Sequence, residues 1–398
     1  MATTQKNWFE VSKEGLRELQ EGKPKHYIVR ELVQNAWDEN ITKCSLDFHR
    51  KGARTEIAVE DDSPEGFRNL DDAYTLFGPT YKRSDPQKRG RFNLGEKQAF
   101  AICDDARIET TKGTVFFDKP NRRRIEKPRR KVGSKVTVHV KMSRAEFQEM
   151  KEAVKSYLPQ ADIEFRVDGV PIPYRKPWKI IEGTLMTEIE DSGAFKRTAR
   201  KTKIHILKAG AKARLYEMGI PITEIESKYD IDVRQKVPMS VDRETVSQAF
   251  LSLLYVKVLN ATFDDISPDE VSEPWVREAA AHKKISPEAV KAVIEKRFGP
   301  KAVVANPGDK VSNDDALASG YRVVHGSDLS KGEWKNVRAA RALQSSSEVF
   351  KHDLAVSEKV EPDENMERVA VLAKKIAKRF LGINHPVASY RVLKIKQR

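Results

Sequence analysis

Within Tyr27-Ile-Val-Arg-Glu-Leu-Val-Gln-Asn-Ala-Trp-Asp-Glu39, three polar side chains recur as Glu31, Asn35 and Asp38. The spacing is i, i+4 and i+7, which at about 100° per residue gathers them within roughly 60° of arc on one helix face. Ile28, Val29, Leu32, Val33, Ala36 and Trp37 fill the remaining circumference. The fold must therefore bury most of a helix and still find surroundings for a carboxylate, an amide and a second carboxylate. Residue chemistry leaves two readings of the strip. One is the ordinary solvated face of an amphipathic helix. The other is a site, in which a carboxylate acts as a general base and the amide oxygen one turn on suits a hard cation such as Mg²⁺.

Three further segments bear on that choice. Thr55-Glu-Ile-Ala-Val-Glu-Asp-Asp-Ser-Pro-Glu-Gly-Phe67 reads as an alternating strand running into an acidic turn. Gly90-Arg-Phe-Asn-Leu-Gly-Glu-Lys97 is a glycine-bearing turn, and Gly133-Ser-Lys-Val-Thr-Val-His-Val140 is another strand. Between the first two, Asn69 to Arg89 carries Gly78, Pro79, Pro86 and many charges, the composition of a mobile loop. Gly90 to Lys97 comes close to a P-loop, G-x4-G-K-[ST]. Glu96 stands where that lysine belongs and no hydroxyl follows Lys97, so a carboxylate would face the β-phosphate and the P-loop is rejected.

In this order the four segments resemble the Bergerat nucleotide-binding fold of the GHKL superfamily, the gyrase, Hsp90, histidine kinase and MutL ATPases. The resemblance covers about residues 1–145 and implies ATP and Mg²⁺ as ligands. Residue by residue, it implies that Glu31 activates water, that Asn35 binds the metal and that Asp61 accepts the adenine amino proton. Ser134 stands at the hydroxyl position supporting that aspartate, and Asp38 at the place of a helper on the purine side. Gly90, Asn93, Leu94 and Gly95 belong to the turn that cradles the phosphates, where bare backbone N–H groups approach anionic oxygens. Lys97 is either a phosphate contact or a solvated lysine at a helix start. The loop before Gly90 corresponds to the lid, from which Lys82 and Arg83 reach the phosphates on closure. Two departures stand out. Ser63 and Pro64-Glu65-Gly66 replace the usual glycine pattern after Asp61, and Asn93 replaces a middle glycine, a position where asparagine tolerates positive φ.

Further along, Ser143 to Tyr157 reads as a helix capped by Ser143 with Glu146 three residues on. Ile163 to Ile172 reads as a hairpin turning at Asp168-Gly169. Short strands are expected at Leu185–Ile189, Lys203–Leu207 and Ala213–Glu217, and a helix at Thr245–Asn260. Val237-Pro-Met-Ser-Val-Asp-Arg-Glu244 resembles a segment of the Hsp90 domain that follows the ATPase. This implies a ribosomal-S5-like transducer domain in which Arg243 reaches the γ-phosphate; by itself the residue equally reads as a helix-start cap. From 266 the resemblance fades into alternating helices and strands, a small α/β unit, then a linker, an amphipathic helix at Met366–Phe380 and a final strand.

The expected fold is α+β: a Bergerat-type α/β sandwich over 1–160, a transducer-like domain over 161–265, a small α/β or helical domain over 266–345, and a linker with a helix-strand tail over 346–398. The net charge of +14 points to anionic partners. The excess concentrates at Arg122 to Lys135 and Lys196 to Arg214, which suits a phosphate backbone. Two unpaired cysteines and no apolar N-terminal run suggest a cytoplasmic protein without a membrane span. The function implied is Mg²⁺-dependent ATP hydrolysis driving a clamp, a homodimer acting on duplex DNA. The alternatives are an Hsp90-like clamp on protein clients and an ATP-binding scaffold with little turnover.

Overall fold

The structure, a computed structural model, describes residues 11–119, 122–191, 194–240, 245–350, 356–359, 363–381 and 393–395. It divides into a unit ending at Ala289 and one beginning at Val290.

The first unit opens with α1 (Lys13–Glu18), α2 (His26–Trp37), β1 (Lys43–Lys51), β2 (Arg54–Asp61) and α3 (Gly95–Ile102). There follow β3 (Asp105–Glu109), β4 (Thr114–Lys119), β5 (Arg122–Glu126), β6 (Ser134–Lys141), α4 (Arg144–Val154), β7 (Glu164–Val167) and β8 (Val170–Ile172). These strands form one sheet in the order β5-β4-β3-β6-β2-β1-β7-β8. In β2 the alternating row Thr55, Ile57, Val59 and Asp61 is buried, so the carboxylate of Asp61 continues an otherwise inward-facing row. Helix α2 packs on β1 and β2, joining Ile28, Leu32, Val33 and Trp37 to Leu46, Ile57, Val59 and Val138 in one core. Each such side chain contributes roughly 1.5–3 kcal/mol on burial. Trp37 meets Phe165 edge-on at 5.2 Å between ring centroids.

That contact explains a difference from the sequence reading. The hairpin at 164–172, grouped there with the second domain, extends the first sheet by parallel pairing of Lys43↔Glu164 through Leu46↔Val167. It covers an edge of β1 that would otherwise present unpaired backbone and seats Phe165 in the core. Its turn has Asp168 at φ 48° and Gly169 at φ 76°, the pair of positive angles an Asp-Gly hairpin turn requires.

A second sheet contains β9 (Lys179–Asp191), β10 (Ala194–Lys208), β11 (Arg214–Glu217), β12 (Ile220–Glu224) and β13 (Tyr229–Val233), ordered β12-β11-β13-β10-β9. The strands read from sequence at 185–189 and 203–207 belong to one long hairpin, paired from Ala194↔Asp191 to Ile206↔Lys179. Charges on both faces of β10 erase the period-two apolar signal there. Strand β13 pairs with β10 only from Ile204 to Lys208, so the rest of the hairpin is a two-stranded ribbon. Helix α5 (Gln248–Thr262) packs on β9, and α6 (Pro274–Ala281) on α5.

In the second unit, after α7 (Pro287–Phe298) crosses the boundary, come β14 (Ala302–Val304), α8 (Lys310–Ala318), β15 (Arg322–Val324), α9 (Lys331–Ala340), β16 (Gln344–Ser345) and α10 (Ser346–Val349). The three strands make a parallel sheet ordered β15-β14-β16, with Val303, Ala316 and Val323 as a small core. Strand β17 (Val356–Lys359) pairs with β18 (Leu393–Ile395), and α11 (Glu364–Leu381) leaves Val369, Leu372 and Ile376 exposed.

Candidate functional site

The first sheet, α2, α3 and the segment before Gly90 enclose a cavity. Its lining includes Glu31, Asn35, Asp61, Lys82, Gly90, Asn93, Leu94, Gly95 and Ser134, together with Glu39, Tyr81 and Glu96. Residues from four separated segments thus meet at one place. The strip on α2 is not a solvated face: Glu31 is 4% exposed and Asp38 is 0% exposed.

The carboxylate of Glu31 is seated against the backbone of Gly95, the first residue of α3. A Cβ there would lie 1.8 Å from Glu31 Oε2, so only glycine permits this contact. One turn on, Asn35 Nδ2 donates to Glu96 Oε2 at 2.9 Å. A carboxylate oxygen accepts only, so this bond fixes the amide's orientation. Asn35 Oδ1 makes no hydrogen bond among the described residues, and it is a hard oxygen donor of the type Mg²⁺ prefers. Among the described residues no cluster of three His, Cys, Asp or Glu side chains is arranged to hold a metal. A cation here would take protein oxygen from Asn35 and the rest from a ligand and water.

Asp61 ends β2 opposite Ser134, the first residue of β6. Its Oδ1 accepts the backbone N–H of Ser63 at 2.9 Å and of Ser134 at 3.2 Å. Ser134 therefore supports the aspartate through its backbone. Burial pushes the Asp61 carboxyl up to about 6, against the pull of these two donors. Gly133 has φ 75° and passes so close that a Cβ would sit 1.9 Å from the Asp61 carbonyl oxygen; no other residue fits. Asp62, the neighbouring carboxylate, is engaged elsewhere, accepting from Thr42 and Lys43.

Two residues nominated from sequence as ligand contacts do not line the cavity. Asp38 forms a fully buried ion pair with Arg89 at 2.7 Å and accepts the N–H of Gly90 at 2.8 Å. Burial would raise its carboxyl, but Arg89, Lys82 and the N–H groups of Arg89 and Gly90 hold it below the usual range. It anchors the turn. Lys97 is neither solvated nor turned to the cavity: its ammonium donates to the Asp72 carbonyl, to Asn93 Oδ1 and to Glu96. Asn93 sits at φ 51°, the left-handed region that asparagine tolerates, and its amide donates to the Thr75 carbonyl at 2.7 Å.

The segment before Gly90 is drawn down over the cavity. Lys82 Nζ pairs with Glu39 Oε1 at 2.7 Å, and the Tyr81 hydroxyl donates to Glu39 Oε2 at 2.8 Å. Burial works against the Lys82 charge, but Glu39 and Asp38 outweigh it and hold the ammonium above the ordinary lysine value. The free volume is about 90 Å³, well below the roughly 300 Å³ at which small-molecule pockets begin. Arg83 is committed away from the cavity, paired with Glu190 at 2.8 Å beneath the Phe195 ring.

The second sheet grips the same turn. Arg91 pairs with Glu217 at 2.5 Å, and Arg89 donates to the carbonyls of Glu217 and Met218. Lys236, fully buried, donates from Nζ to the carbonyls of Lys82 and Arg83, and burial together with Arg91 lowers its ammonium to about 8. Sequence reasoning missed Glu217, Lys236 and the roles of Arg89, Arg91, Glu39 and Glu96. The available signal was charge inside otherwise apolar runs, as in Ile231-Asp-Val-Arg-Gln-Lys-Val237. Arg243 lies outside the described residues.

No family model matches the chain, and no curated protein matches it. Among solved structures it is similar to the ATPase region of Saccharomyces cerevisiae topoisomerase II, with 11% identity and a TM-score of 0.37 over 57% of this chain and 78% of that one. The same region bound to ICRF-187 (dexrazoxane) is matched with 12% identity and a TM-score of 0.36, over 68% of this chain and 83% of that one. No helix among the described residues is long and apolar enough to cross a membrane.

Proposed function

We propose that this chain is a GHKL-type ATPase whose cavity binds ATP with Mg²⁺ and hydrolyses it. The observation that carries the reading is the meeting of Glu31, Asn35, Asp61 and Ser134 around one cavity closed by the segment before Gly90. Asp61, with one oxygen held by two N–H groups, offers the other to the adenine amine. The turn from Gly90 to Gly95 lies along the phosphates. Glu31, fixed against Gly95, orients the attacking water and accepts its proton. Asn35 Oδ1 would hold Mg²⁺, which would supply charge neutralisation at the phosphate oxygens. Lys82 exchanges Glu39 for phosphate once a nucleotide has entered.

The turn's ion pair to Glu217 and the Lys236 bonds to Lys82 and Arg83 couple the lid to the second sheet, here proposed as a transducer. Arg243 completes the phosphate end in the closed state, in a homodimer acting on duplex DNA in the cytoplasm. The basic clusters favour DNA less strongly than their count suggests. Arg124, Arg129, Arg130 and Lys135 are paired with Asp118, Glu126 and Glu60, and Lys196, Arg197 and Lys201 with Asp191, Glu188 and Glu182, so each cluster offers a DNA backbone fewer free charges than it contains. ATP turnover with and without duplex DNA tests the proposal. Stimulation at low salt supports a DNA clamp, turnover indifferent to DNA favours the chaperone alternative, and no turnover with intact binding leaves a scaffold.

A further inference from the structure

A second cleft adjoins the lid segment from its other side. It is lined by Asp85, Pro86 and Gln87 of that segment, by Glu182 of β9, by Arg200 to Lys203 and His205 of β10, and by Arg234 and Gln235, with a volume of about 730 Å³. Its charge is unbalanced. Glu182 is neutralised by Lys201 at 2.5 Å, and one Asp85 oxygen accepts the Gln87 N–H at 2.8 Å. Arg234 serves Asp232 at 2.9 Å and Gln160 at 2.8 Å. Arg200 and Lys203, both exposed, make no side-chain hydrogen bond or ion pair among the described residues. Two unspent cations and a third shared one face a roomy polar cleft, which is the chemistry of a site for clustered phosphates: guanidinium groups grip two oxygens at once and an ammonium adds a point charge.

The cleft's position ties it to the nucleotide cavity. Thr80, Tyr81, Lys82, Gly90 and Arg91 line that cavity, while residues 85–87, between them in the chain, line the cleft. The two cleft walls already touch where the Pro86 carbonyl accepts the N–H of Lys236 at 2.8 Å. A ligand bridging the walls reinforces that contact and holds the segment down.

We infer that this cleft is a second, phosphate-accepting site, with Arg200, Lys203 and Arg234 as its anion-binding groups, and that its occupancy holds the lid segment over the nucleotide cavity. The regulatory half of the inference rests on the nucleotide reading proposed above; the binding half does not. The phosphates come either from a free oligophosphate or from a nucleic-acid backbone.

The test uses the full chain at low salt, with inorganic tripolyphosphate in one arm and a short fluorescent DNA duplex in the other. The nucleotide cavity is filled beforehand with one equivalent of a non-hydrolysable ATP analogue, so that the probes meet only the cleft. Tripolyphosphate binding one to one identifies an oligophosphate site, and duplex binding alone identifies a backbone site. Either binding should weaken by about tenfold or more in Arg200→Gln/Lys203→Gln, the scale for loss of charged hydrogen bonds. The bound probe should also slow release of a fluorescent ATP analogue several-fold from the parent, and leave the double variant's release rate unchanged. Binding that survives the double substitution, or that vanishes wholly once the nucleotide cavity is filled, overturns the site. A site that binds while nucleotide release is indifferent to it overturns the lid coupling. If the parent does not bind ATP at all, the nucleotide reading falls while tripolyphosphate binding still decides the cleft.

Discussion

Arg91 and Glu217 form an ion pair of 2.5 Å in which each side chain is only 3% exposed, and it joins the turn beside the cavity of the first sheet to the second sheet. Glu217 Oε1 also accepts the N–H of Val237 at 2.8 Å, and Arg91 donates to the Val237 carbonyl at 2.8 Å. Both terminal nitrogens of Arg91 and both carboxylate oxygens of Glu217 are engaged, and such added hydrogen bonds help a buried ion pair withstand its desolvation.

Removing one partner leaves a buried charge without compensation. Glu217→Leu should destabilise the first unit by about 3–5 kcal/mol. Arg91→Met/Glu217→Leu should recover a large part of that loss, because no lone charge remains. Denaturant unfolding of the two variants and the parent checks this. Equal losses in single and double variants would show that the pair is not the source.

If Asp61 binds the adenine amine as proposed, nucleotide affinity should depend on pH. Its carboxyl is raised to about 6 by burial, and an amine donor from the ligand bonds the charged form. Affinity for ATP should therefore rise as pH increases through about 6 and level off above it. The same shift acts on folding with the opposite sense. A folded carboxyl raised from 3.8 to about 6 binds more protons than the unfolded one between those values, so its contribution to stability falls as pH rises across that window. Asp61→Asn should flatten both dependences and weaken binding by about 1–3 kcal/mol. Calorimetric titration from pH 5 to 8 measures the affinity profile.

If the segment before Gly90 is the lid proposed above, a kinetic effect is expected at Glu39, which holds both Tyr81 and Lys82. Glu39→Ala should accelerate nucleotide association several-fold by releasing the segment, with the fold unchanged. Stopped-flow mixing with a fluorescent ATP analogue reads this directly, and an unchanged association rate would show that entry does not wait on these contacts.

Much of the cavity was legible in sequence because its residues lie on regular elements with short periods. The 3.6-residue repeat placed Glu31 and Asn35 on one face, the alternating strand ran into the turn at Asp61, and Gly90 and Gly95 framed a turn open to close backbone approach. What escaped depends on pairing between distant segments. The sequence shows Asp38 on the same face as Glu31, but not that Arg89 takes it into the turn. It shows Lys97 after a glycine turn, but not that Asp72, Asn93 and Glu96 surround its ammonium. It shows charges at Glu217 and Lys236, the one in β11 and the other just after β13, but not their partners. The ribbon β9–β10 was fragmented into short strands because β10 carries charges on both faces.

The contact between Glu31 and Gly95 bears on the base itself. Gly95→Ala should displace the carboxylate and lower turnover at least tenfold, while costing the fold about 1–3 kcal/mol of overpacking. Turnover and thermal unfolding on the same sample separate the two effects. Parent-level turnover would mean that the seat of Glu31 is immaterial.

The most direct measurement is ATP binding and single-turnover hydrolysis for Glu31→Ala beside the parent. Glu31 is proposed to act on the water and not to hold the nucleotide, so the variant should bind ATP with nearly the parent's affinity and hydrolyse it about 10²–10⁴ times more slowly, the range for loss of a general base. Hydrolysis by Glu31→Ala at the parent rate would contradict the account.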